Sequence, residues 1–108
     1  MESYFLLQLK LAEKYSVEKN WTEIENDLIT QHFHFLTNLA NKGVLLFAGR
    51  TNYDVGHPDL EGFALIKATN LQTAEDILKA DPAVVAGLQI ANIHPFSLAI
   101  EQFNNKID

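Results

Sequence analysis

His32 is the residue of this chain whose setting most suggests chemistry. It lies in the run 21–43, WTEIENDLITQHFHFLTNLANKG, which at ~100° per residue forms one long amphipathic helix. Ile24, Leu28, Ile29, Phe33, Phe35, Leu36, Leu39 and Ala40 share one arc. Glu23, Asp27, Thr30, His34, Thr37, Asn38 and Asn41 share the other. His32 falls near the middle of the apolar arc, whereas His34 falls on the polar side. A helix that packs on a core has little reason to point an imidazole inward. Two readings fit. In one, a carbonyl and a side chain satisfy a core histidine. In the other the ring is a general base or acid in a pocket, since histidine is the side chain most easily poised near neutral pH. Both readings demand a partner, because a buried polar group left unpaired costs ~1–3 kcal/mol.

Asp81 is the candidate partner. Followed by Pro82, it has an adequate local role as the N-cap of a helix that starts with proline. It also lies just past the second expected helix, so a carboxylate there can reach the middle of the first if both helices share a sheet face. Such a pair fixes the ring's tautomer and stabilises the imidazolium, as the third member of a catalytic triad does. His94, beside Pro95 in the last strand, reads equally as a sheet-edge residue and as a pocket-lining group. Arg50, the single arginine, opens a glycine-containing loop, where it can clamp a carboxylate or stay solvated. His57, in GHPDLEG, reads as a loop residue. His32 and His34, two apart on a helix, point apart and cannot share a metal. No phosphate-binding glycine loop and no serine in a nucleophile elbow occur, so neither metal nor cofactor is expected.

The elements that must position these residues follow from periodicity. Ser3–Leu11 reads as a strand, with Leu7, Leu9 and Leu11 on one face and Gln8 and Lys10 on the other. Residues 12–20 are polar and read as a loop. Thr22 and Glu25 have capping-box spacing and place the helix start at Thr22; Gly43 is its stop. Residues 44–48 (VLLFA) read as a buried strand, 49–61 as a hairpin-type loop, and Gly62–Ala68 as the next strand. Thr69 or Asn70 caps a helix over 71–80, which Asp81-Pro82 interrupts; 83–88 adds a short helical turn. Residues 89–102 close the chain as a strand with Ile90, Asn92, His94, Phe96, Leu98 and Ile100 on one face. Pro95 makes that strand an edge or a bulge. The order strand-helix-strand-strand-helix-strand predicts an α+β ferredoxin-like sandwich, an antiparallel sheet with both helices on one face. VLLFA has no polar face, which predicts a homodimer formed sheet to sheet.

Composition narrows the functions. With 108 residues the chain reads as a single domain, 1–108. A net charge of −6 with one arginine argues against nucleic acid and anionic membrane as partners. No cysteine is present, which removes disulfides and a thiol nucleophile. No apolar run approaches the ~20 residues of a membrane span, and the N-terminus lacks a signal-peptide pattern. A cytoplasmic location is the expectation.

The blocks HFHFLTNLANKGVLLFAGR and ADPAVVAGL followed by IHPF resemble, in order and spacing, those of the YCII-related family over nearly the whole chain. The resemblance implies a dimeric α+β barrel and an active site built on a His–Asp pair, matched by position to His32 and Asp81. His94 matches the His-Pro of a subset of members. Arg50 stands where many members have proline, so a substrate class does not carry over. The reading that follows is a small homodimeric enzyme using cofactor-independent acid–base chemistry on a small cyclic or carboxylated molecule. His32 would move the proton, Asp81 would orient it, and Arg50 and His94 would line the pocket. Lyase, isomerase and hydrolase reactions all suit that apparatus. The alternatives are a non-catalytic ligand-binding or interaction module and a structural dimer with a buried polar pair.

Overall fold

A computed structural model describes residues 2–100. Its elements run β1 (Ser3–Leu11), α1 (Glu23–Asn41), β2 (Leu45–Arg50), β3 (Gly62–Ala68), α2 (Leu71–Lys79), α3 (Pro82–Val85) and β4 (Gln89–Phe96). The strands form one antiparallel sheet in the order β2-β3-β1-β4, the expected α+β ferredoxin-like arrangement. Alternation along the two central strands sends Phe5, Leu7, Leu9, Ala64, Ile66 and Ala68 into a core with Ala74 and Leu78 of α2. No helix among the described residues is long and apolar enough to cross a membrane.

α1 carries the site, and its ends are held chemically. Thr22 Oγ1 accepts from the Ile24 amide at 3.2 Å. The Thr22 amide and hydroxyl in turn donate to Glu25 Oε1 at 2.7 and 2.6 Å. That is the capping box, and it explains how a glutamate on the apolar side is buried without loss. Past the C-terminus Gly43 adopts φ 76°, the left-handed conformation that glycine takes at least cost.

Four details differ from the sequence expectation. Residues 12–20 contain two short 3-10 turns, Glu13–Ser16 and Glu18–Asn20, which are too brief to leave a hydrophobic period. β2 extends through Gly49 and Arg50 because Phe63 and Gly62 of β3 are there to pair with them. β4 stops at Phe96, opposite Tyr4, where β1 is nearly exhausted; 97–100 lie outside the strand and 101–102 outside the described residues. Ile24 and Phe33, both on the apolar arc of α1, are 68% and 60% exposed. Pro95 sits in β4, an edge strand whose only sheet neighbour among the described residues is β1, where its missing N–H is harmless.

The bonds from Thr22, the side-chain hydroxyl first and then the amide, hold the Glu25 carboxyl below the ordinary glutamate value. A carboxyl depressed in the folded state contributes stability above its unfolded value, and that stability is lost as pH falls through the lower folded value. Thermal unfolding across the acid range checks this. Glu25→Gln, which retains an acceptor for the Thr22 amide, is expected to lower Tm near neutral pH and to flatten its fall on acidification. Parallel Tm–pH curves for the two proteins would show that the box carries none of the acid dependence.

Candidate active site

α3 is one turn long, yet its position decides the site. It packs on α1, so its N-cap lies beside the middle of that helix. Asp81 fills that N-cap, with Oδ1 accepting from the Ala83 amide at 2.9 Å. Its second oxygen, Oδ2, lies 2.6 Å from His32 Nδ1. Both residues are buried, His32 at 7% exposure and Asp81 at 2%. The carboxylate only accepts, so His32 carries its proton on Nδ1 and the neutral ring keeps a lone pair on Nε2. Nε2 makes no hydrogen bond among the described residues and is not among the polar atoms shut from solvent. The ring lines a cleft.

That cleft has a volume of about 730 Å³. α1 forms one wall with Ile29, His32, Phe33 and Leu36, and the ends of β2 and β3 form the other. It exists because the sheet is under-filled there. Cross-strand pairs bring Ala48 against Ala64 and Gly62 beside Arg50, and the two alanines and the glycine are too small to reach α1. The exposure of Phe33 has the same cause, since its ring borders a cleft instead of meeting the sheet. Trp21 closes one end, pinned by its indole N–H donating to the Tyr15 carbonyl at 2.8 Å. Val55 and Leu60 of the 51–61 loop close another side. Thr51 ties that loop at its base: its amide donates to the Glu61 carbonyl at 2.8 Å, and its Oγ1 accepts from the Glu61 amide at 2.9 Å.

The other expected site residues divide. Arg50 lines the cleft and makes no ion pair among the described residues. His94 is not brought there: it stands on the sheet face turned away from the helices, with Nε2 2.8 Å from Gln8 Oε1. His34 is exposed. His57 stacks on Tyr53 at 4.0 Å between ring centroids and accepts from the Asp59 amide at 3.0 Å. No group of three or more His, Cys, Asp and Glu residues among the described residues could hold a metal ion. One polar group escaped the sequence reading. Gln89 lines the cleft, and its Oε1 is shut from solvent without a hydrogen-bond partner among the described residues. The available signal was its alternation with the inward-facing Ala91 and Ile93, a polar residue in an apolar row.

The sequence has no match among curated proteins. Among solved structures, the fold is similar to that of 5-chloro-2-hydroxyhydroquinone dehydrochlorinase (TftG) from Burkholderia phenoliruptrix AC1100, determined with 2,5-dihydroxybenzoquinone. The two share a TM-score of 0.64 and 19% identity over 87% of this chain and 93% of that one. At that identity the likeness speaks for the fold. The model of the YCII-related domain matches residues 6–97, from within β1 to just past β4, and the chain belongs to the YCII-related family.

Proposed function

We propose that this chain is a small enzyme that moves a proton on a small ring compound, with His32 as general base and then acid. The observation that carries the reading is the Nδ1 contact to a carboxylate that is itself fixed as a helix cap, with the opposite edge of the ring at a cleft. Nε2 takes a proton from an acidic C–H or O–H of the substrate, and the imidazolium so formed sits against Asp81. The same Nε2 returns the proton to product or solvent. Asp81 stays ionised and touches no substrate; it is a positioning residue. Arg50 meets an anionic oxygen of the substrate. Elimination and isomerisation both suit this apparatus without a cofactor. The dehydrochlorination named for the structural neighbour is of that kind, since it removes a proton together with chloride. His94 has no path to the cleft within one chain and belongs to the assembly face in this reading.

We also propose a cytoplasmic homodimer closed sheet to sheet. Support comes from Ile90 and Phe96, exposed hydrophobics that alternate in β4 onto the face away from the helices. Lysine at both positions is expected to give a monomer in sedimentation velocity; an unchanged sedimentation coefficient would argue for a different interface or none.

Asp81→Asn tests the positioning role. The Ala83 amide needs an acceptor, so the asparagine oxygen stays on α3 and its NH₂ turns to His32. Nδ1 must then accept, and the proton moves to Nε2. Long-range ¹H–¹⁵N spectra are expected to show the Nδ1–H tautomer in the wild type and the Nε2–H tautomer in the variant, with little change in Tm.

Activity can be read as chloride release from 5-chloro-2-hydroxyhydroquinone and as deuterium exchange into the ring of 1,2,4-benzenetriol. His32→Gln and Asp81→Asn are each expected to lose on the order of 10²–10⁴-fold. Full activity in either variant would remove the pair from the mechanism. Ligand-induced shifts of His32 without any exchange or chloride release would make the cleft a binding site only.

A further inference from the structure

His57 stands where two turns of the 51–61 loop meet. Its amide donates to the Asp54 carbonyl at 3.0 Å and closes the first turn, over residues 54–57. Its carbonyl accepts from the Leu60 amide at 3.2 Å and closes the second, over residues 57–60. Each turn has the residue it needs. Gly56, third in the first turn, has φ 99°, and Pro58, second in the other, has its φ preset. The imidazole joins them. Nδ1 accepts from the Asp59 amide at 3.0 Å, and the ring stacks on Tyr53 at 4.0 Å between centroids and 15° between planes. His57 itself is exposed, while Val55 and Leu60, one from each turn, are half-buried and line the cleft. The loop is seated on the turn Glu13–Ser16 at Gly56, where a Cβ would stand 2.9 Å from the Ser16 carbonyl oxygen.

We propose that His57 is an acid-sensitive latch on the cleft: neutral, it holds Val55 and Leu60 in the wall, and protonated, it loosens them. To accept from the Asp59 amide, Nδ1 must lack a proton, so the neutral ring carries its hydrogen on Nε2, opposite to the tautomer of His32. An imidazolium has two N–H donors and no acceptor, so no rotation of the ring restores the bond. Histidine is the side chain that makes this change between about pH 5 and 8. The groups nearby that titrate or carry charge are Tyr53, Asp54 and Asp59 on the loop, Arg50 and Glu61 at its base, and Glu13, Lys14 and Tyr15 on the turn beneath it. None forms an ion pair with His57 among the described residues. Lys14 Nζ lies over the Tyr15 ring, 5.3 Å from its centroid, and Glu61 is engaged by Gln8. Asp54 and Asp59 are left as counter-charges toward which an imidazolium turns, away from the amide it had held. Losing one such hydrogen bond changes a local equilibrium by a factor of roughly 2–12, which loosens the wall without unfolding the domain. The latch acts on the shape of the cleft and stands apart from the proton transfer assigned to His32.

The full chain is compared with His57→Asn and His57→Phe. Asparagine places Oδ1 where Nδ1 stood and accepts from the amide two residues on without titrating. Phenylalanine keeps a ring on Tyr53 and offers no acceptor. Amide hydrogen exchange at Asp59 and Leu60 is followed by NMR as protection relative to the unfolded-chain rate at each pH. Methyl shifts of Val55 and Leu60 and long-range ¹H–¹⁵N spectra of the histidines are recorded on the same samples. The wild type is expected to show the Nε2–H tautomer of His57 at neutral pH and to lose protection about threefold to tenfold as that ring is protonated. Both methyls are expected to move with the same midpoint. His57→Asn is expected to stay protected throughout and His57→Phe to stay loosened throughout, each with little change in Tm. Three results would overturn the proposal: wild-type protection that holds through the His57 titration, a fall in His57→Asn equal to that of the wild type, or methyls that follow the His32 midpoint instead. Should a variant not fold, the wild-type titration decides by itself, because the two histidines report their own midpoints.

Discussion

The two oxygens of Asp81 are the constraint on which the site depends. One caps α3 through the Ala83 amide and the other holds His32 Nδ1. Each bond makes the other more rigid: the cap fixes the rotamer that presents Oδ2 to α1, and the ring fixes the distance between the two helices. Proline at the first position of α3 adds to this, because its φ is preset for a helix start. As an element of stability the arrangement contributes little, since well-packed apolar side chains commonly match or exceed a buried carboxylate and its hydrogen-bond partner. A leucine at position 32 would extend the packing already made by Leu36 and Leu39. Retaining an imidazole and a carboxylate instead points to a use for the lone pair on Nε2.

Beside the His32 ring the sheet leaves space by omission. Where β1 and β3 meet α2 the inward row is Phe5, Ile66 and Leu78, and the layers touch. Toward the start of β3 the row becomes Ala48 with Ala64 and then Arg50 with Gly62, and the layers part. The rim is held from several directions, by the indole of Trp21, the base of the 51–61 loop and the capping box of α1. An open cleft with pinned walls is pre-organised.

Most of the architecture was legible because local signals agreed with one another. Strand alternation located β1 and β3 to the residue, and Thr22 with Glu25 located the start of α1. The His32–Asp81 contact was legible for the opposite reason, as an imidazole that violated an otherwise regular apolar arc. What escaped depended on partners distant in sequence. Gly49 and Arg50 read as loop until β3 is placed beside them, and residues 97–100 read as strand until β1 runs out. Phe33 and Ile24 obey the helical period yet face solvent, because periodicity reports a direction and not whether anything stands there. His94 was correctly phased within its strand, but which side of the sheet that phase meets depends on the helices.

The far face of the sheet carries a polar chain of its own. Glu61 immediately precedes Gly62, the pairing partner of Arg50, and alternation turns its side chain to the other face of the sheet. There the carboxylate is engaged by Gln8, whose Nε2 donates to Glu61 Oε1 at 3.3 Å. With its NH₂ so used, Gln8 presents Oε1 to His94, whose Nε2 must then be the donor in their 2.8 Å contact. The chain from His94 through Gln8 to Glu61 thus orients an amide that could otherwise turn either way. His94, read from sequence as a pocket residue, contributes from the far face of the sheet. It fixes the amide that holds Glu61.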